Sequence, residues 1–143
     1  MTDPDGPHLN AALICERLLA EQDGVLSAIR IIDRIFFITG EDGEPLAKEQ
    51  PITLVIALKS GAARGSYTVR VRMEKPSGEQ MPLLEAPVFF EGEERGANLV
   101  LNAGFKPDGA GLYWFDVDFE TDRITRIPLR VIYQSPPVAG HGG

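Results

Sequence analysis

The sequence predicts an all-β fold: a single-domain antiparallel β-sandwich of seven to nine strands, Ig-like or C2-like in outline. Three observations predict it. Gly111 to Tyr133 alternates apolar and polar residues with period two on both sides of a polar turn. Val25 to Ile38 is rich in β-branched and aromatic residues, as strands are. The remaining apolar runs are short and separated by Gly, Pro and Asp turn residues.

The hairpin from Gly111 to Tyr133 carries the clearest pattern. Tyr113, Phe115, Val117 and Phe119 share one face, and Trp114, Asp116, Asp118 and Glu120 the other. A three-residue loop of Thr121, Asp122 and Arg123 pairs Val117 with Ile127, Phe115 with Leu129 and Tyr113 with Val131. It also sets Asp118 against Arg126 and Trp114 against Arg130. A two-residue loop would set Val117 against Arg126, so apolar pairing selects the longer loop. Pro128 has no N–H for a ladder, which predicts an edge or a bulge at that strand.

The other elements follow in order. Residues 1–8 hold two prolines and read as a flexible N-terminus, with the sandwich spanning 9–134 and a disordered tail at 135–143. Leu9 to Ala20 has helix-prone composition, yet Leu9, Ala11, Leu13, Cys15, Arg17 and Leu19 alternate. The Asp23-Gly24 turn that follows favours strand–turn–strand. Val25 to Ile38 reads as one strand. Gly40 to Glu44 is a turn, Pro45 to Pro51 a loop, and Ile52 to Leu58 a strand. Tyr67, Val69, Val71 and Met73 point inward from the next strand, with Arg70 and Arg72 outward. These arginines would attract Asp116 and Asp118 if the two strands were neighbours. Ala86 to Phe90 and Ala97 to Ala103 complete the set.

Two apolar strands around a Gly turn, ending in Ile32-Asp33-Arg34-Ile35, resemble the opening of a family of small uncharacterised bacterial proteins, a domain-of-unknown-function family. Gly65-Ser66-Tyr67-Thr68-Val69, Ala97 to Leu101 and Gly111 to Phe115 extend the resemblance over most of the chain. It implies a β-sandwich and no known activity. The helix-prone Glu16 to Ala20 stretch departs from it.

Composition narrows the functions. The net charge of −7 offers no excess of Lys and Arg for phosphates, which argues against nucleic-acid and anionic-membrane partners. The start of the chain lacks a signal-like pattern. No apolar run reaches the roughly 20 residues of a membrane span. A cytoplasmic protein is the simple expectation. Both histidines, His8 and His141, fall in expected tails, so a Ser–His or Cys–His site is not expected. The single Cys15 reads as a small buried hydrophobe. Zinc-type ligand clusters are absent from the sequence. Asp108 and Asp122, or Glu91, Glu93 and Glu94, are the acids that a calcium site would draw on, and they read as solvated surface. Asp116 and Asp118 read the same way, rather than as a catalytic carboxylate pair. No cofactor is expected.

Three groups are singled out. Tyr113 and Asp108 form an expected tyrosine corner. Asp33 and Arg34 form an expected buried or half-buried ion pair. Trp114, with Arg130 and Asp116, is a candidate interface on an outward face; a loop or the N-terminal segment could equally cover Trp114. The expected role is a non-catalytic binding or assembly module with a protein partner or a second copy, as a homodimer. The alternative is a calcium-dependent module or a carboxylate-based hydrolase using loop acids.

Overall fold

The computed structural model describes residues 6–93 and 95–137. These form nine β-strands and no helix: β1 (His8–Ala20), β2 (Leu26–Ile31), β3 (Arg34–Ile38), β4 (Gln50–Lys59), β5 (Arg64–Glu74), β6 (Gln80–Glu91), β7 (Gly96–Phe105), β8 (Gly111–Phe119) and β9 (Asp122–Gln134). Four strands make one sheet in the order β2-β1-β4-β7, and five make the other in the order β3-β9-β8-β5-β6. One core lies between them. Ile14, Ile52, Leu54, Ile56 and Leu58 enter it from the first sheet, and Val69, Val71, Phe115, Val117, Leu129 and Val131 from the second.

The stretch from Val25 to Ile38 is two strands, not one. β2 pairs with β1, and the chain then crosses at Ile32 and Asp33 so that β3 joins the other sheet. β3 runs parallel to β9, with Arg34 opposite Arg130 and Ile38 opposite Gln134. The sheets are mostly antiparallel, as expected, with this one parallel pair. A parallel strand needs a long connection, and here nearly the whole chain supplies it. Pro128 precedes the first residue of the β3–β9 ladder, so its missing N–H falls where β9 has no partner on that side.

Residues 9–20 are strand. A register shift between Leu9 and Ala11 reverses the alternation there. Leu9 packs on the core and so does Ile14, while Ala11, Leu13 and Cys15 stand opposite Ala57, Val55 and Thr53 on the other side of the sheet. The first strand starts one residue earlier than expected, at His8, and Gly6 and Pro7 before it are buried. A Cβ on Gly6, whose φ is +96°, would lie 2.7 Å from the Ser60 carbonyl oxygen. Residues 1–5 and 138–143, within the expected flexible ends, lie outside the described residues.

The β8–β9 hairpin keeps its expected faces but not its register. The loop is Glu120-Thr121, with Phe119 opposite Asp122, and a bulge then restores the phase. Phe115 faces Ile127, Tyr113 faces Leu129 and Trp114 faces Pro128. The partners are thus slid by two residues from the three-residue-loop register. Contacts from β5 explain the tight turn. Glu120 has φ +53°, its N–H donates to the Thr68 carbonyl at 2.8 Å, and Arg70 Nη1 donates to its carbonyl at 3.1 Å.

Candidate functional site

The outer face of the five-stranded sheet gathers the charged residues. β5 lies beside β8, which puts Arg70 opposite Asp118 and Arg72 opposite Asp116, the attraction expected of neighbouring strands. Arg72 Nη2 reaches Asp118 Oδ2 at 2.9 Å, and Arg72 Nη1 donates to Gln80 Oε1 at 3.0 Å. Arg126 Nε donates to Asp116 Oδ1 at 2.6 Å, and its Nη2 to Glu74 Oε2 at 3.0 Å. The Arg126 guanidinium also lies 4.5 Å from the Trp114 ring centroid. Hydrogen bonding to Asp116, then to Glu74, holds its pKa above the usual arginine value against some desolvation. Arg72 Nε is the buried side-chain polar atom left without a partner among the described residues.

This geometry corrects the expected interface group in two respects. Trp114 does not meet Arg130; the slid register gives its ring to Arg126. Asp116 is not an outward surface acid. It is 2% exposed, beneath the arginine that binds it. Arg130 is exposed and faces Leu112. A carboxylate taken from water must keep its partner, and for Asp116 that partner is Arg126.

The Asp33–Arg34 pair is made at 3.2 Å but is not buried, with side chains 80% and 58% exposed. What fixes the start of β3 is the backbone: Arg130 N–H donates to the Asp33 carbonyl at 3.0 Å. At Asp108, the Tyr113 hydroxyl donates to the Gly109 carbonyl at 2.6 Å and accepts from the Asp108 N–H at 2.8 Å. The Tyr133 hydroxyl accepts from Gly109 N–H at 3.0 Å. Two tyrosines thus clamp one turn. Burial, above all, pushes the Tyr113 phenol above its usual range.

The loop acids are dispersed. Asp108 meets Lys75 at 3.1 Å, Glu91 meets Arg95 at 2.9 Å, and Glu93 meets Arg64 at 3.9 Å. Asp122 starts β9, exposed. Glu94 and His141 lie outside the described residues. Among the described residues no three His, Cys, Asp or Glu side chains come together as a metal site.

The sequence reading missed the outer face of the four-stranded sheet. Leu13 and Cys15 of β1, Val55 and Ala57 of β4, Val100 of β7 and Ile31 of β2 stand side by side there. Ile31 is 65% exposed and Val100 38%. Cys15 and Val55 are covered by their neighbours. No charge interrupts this set. The signal was the run Ile52 to Leu58, in which only Thr53 is polar. A strand with water on one face alternates, whereas an uninterrupted run marks a strand apolar on both faces.

Fold and site together define a two-sheet all-β protein whose charged face is internally compensated and whose second sheet carries an apolar patch on its outer face. Residues 10–132 match a family of unknown function (DUF6941), and the chain belongs to that family. No curated protein matches it. Among solved structures it is similar to β-glucosidase from Listeria innocua, at 7% identity and TM-score 0.55 over 90% of this chain and 16% of that one. The same enzyme in complex with glucose gives 9% identity and TM-score 0.52, over 71% of this chain and 15% of that one. The likeness is one of fold, and the chain spans about a sixth of the enzyme's length. No helix among the described residues is long and apolar enough to cross a membrane.

Proposed function

We propose that this protein is a non-catalytic assembly module that pairs with a second copy of itself through the outer face of the four-stranded sheet. The observation that carries the reading is β4, apolar on both sides, with only one side covered by the core. At about 4.8 Å between strands and about 6.8 Å between same-face residues, the six apolar residues make a flat patch of roughly 200 Å², and the whole outer face of the sheet, polar residues included, roughly 600 Å². Stable interfaces use about 800 Å² of accessible surface per partner. The face approaches this once its polar rim is counted. A chain of net charge −7 repels itself, and this face, whose outward strand residues include Arg17 and Lys59 but no acid, lets two copies meet without opposing acids. The arginine partners of Asp116 and Asp118 support the non-catalytic part of the reading.

The scaffold we propose is Ig-like. With β1, β4 and β7 as strands A, B and E, and β5, β8 and β9 as C, F and G, the neighbours agree with that pattern. The tyrosine clamp at the start of β8 then sits where the tyrosine corner of strand F belongs. β2 would be an added strand.

Sedimentation equilibrium tests the reading. The expected result is a concentration-dependent dimer that Ile31→Glu and Val100→Glu turn into monomer, both changes being tolerated in the folded chain because the sites are exposed. Trp114→Ala should leave the dimer intact. A wild-type chain that stays monomeric at every accessible concentration overturns the proposal. So does a dimer that both glutamates leave unchanged.

A further inference from the structure

β6 and β7 are the free edges of the two sheets along one side, and no ladder joins them. Where β6 begins and β7 ends, a cleft of about 380 Å³ opens between the sheets. Its floor is core: Met73, Phe105 and Phe115 are each at most 5% exposed. Met81 and Leu83 form its rim on β6. The register shift in the β5–β6 ladder, where Val71 faces Leu84 and Arg72 faces Pro82, leaves Leu83 unpaired beside the cleft. The volume lies within the ~300–1,000 Å³ of small-molecule sites, which are apolar with a few polar groups. Flexible methionine side chains suit a site that adapts its shape.

The charges at the mouth are uneven. Lys75 and Asp108 both line it and neutralise one another at 3.1 Å. Glu79, outside the lining, is a second partner of Lys75 at 3.4 Å. Lys106 also lines the cleft and has no ion-pair partner among the described residues.

We infer that this cleft binds a small amphipathic carboxylate, its hydrocarbon body against Met73, Phe105 and Phe115 and its charge beside Lys106. Core side chains of both sheets line the site, so a bound body extends the core and its carboxylate stays at the water boundary. The site is separate from the apolar outer face and does not depend on dimerisation.

Isothermal titration with decanoate tests it, with decanol and decylamine as controls. Saturable binding of decanoate is expected, tighter than that of either control. Leu83→Trp, which fills the rim, should abolish it. Lys106→Glu should weaken it roughly fivefold while leaving decanol binding unchanged. Cooperative urea unfolding at the wild-type m verifies that both variants keep the native fold. Absence of saturable decanoate binding to the wild type overturns the inference, as does equal affinity for all three probes or binding that survives Leu83→Trp in a folded variant.

Discussion

Tyr113→Phe removes one oxygen from the centre of the fold and leaves the ring in place. The ring is fully buried against Phe105, with centroids 5.1 Å apart, so no cavity larger than a hydroxyl forms. Two hydrogen bonds go: the one donated to Gly109 O and the one accepted from Asp108 N–H. Each is worth about 0.5–1.5 kcal/mol net. Gly109 is exposed and recruits water, which returns part of the loss. The expected cost is about 1–2 kcal/mol, or roughly 3–6 °C in Tm for a chain of this size. Urea unfolding at pH 7 reads it as a lowered midpoint at unchanged m.

The alkaline limb gives a second reading of the same group. Burial raises the Tyr113 pKa above its ordinary value of 10.0, so the native state holds this proton more tightly than the unfolded chain. Its contribution is complete below pH 10 and is lost as pH rises through the native value. Lys75 is shifted upward too, chiefly by its hydrogen bond to Asp108, and loses its contribution in the range above 10.5. The wild type should therefore weaken more steeply above pH 10 than Tyr113→Phe. A variant as stable as the wild type at pH 7, with the same alkaline slope, would refute the clamp.

Three other outcomes are expected. Arg126→Ala strands the buried Asp116 carboxylate without its partner; the variant should unfold at lower urea at pH 7, and Arg126→Leu combined with Asp116→Leu should recover most of the deficit. Gly111→Ala forces a side chain onto φ +141° and within 2.9 Å of Pro76 Cγ, so thermal unfolding should show a loss of about 1–3 kcal/mol. Cys15 is fully covered and its thiol pKa is raised, by burial first, so maleimide labelling of the native protein should be about a thousandfold slower than in denaturant.

The all-β class was legible because alternation is a local property. The inward set Tyr67, Val69, Val71 and Met73 could be read directly, and so could the Arg70–Arg72 attraction to Asp116 and Asp118. The hairpin register could not, because Glu120 is bound by Thr68 and Arg70, which lie some fifty residues away. The break between β2 and β3 carries no Gly or Pro, only Asp33; Ile32 donates its N–H to Ile14 as the chain changes sheets. Periodicity fixes which residues share a face but not which face is inside, and the register shift at Leu9 and Ala11 reversed that assignment for β1. Trp114 drew attention as the only tryptophan, whereas the apolar outer face is made of small and branched residues that look ordinary one at a time.

β3 and β9 meet across nearly the whole chain: the Thr39 hydroxyl and N–H both bond to the Gln134 carbonyl, 95 residues on. A ribosome delivers β3 early, and its partner arrives only after five other strands' worth of chain. Until then β3, with its buried Ile35 and Phe37, has no strand to pair with. A transcript cut short before residue 130 would make a polypeptide with that edge permanently raw, prone to pair with whatever extended chain it met first.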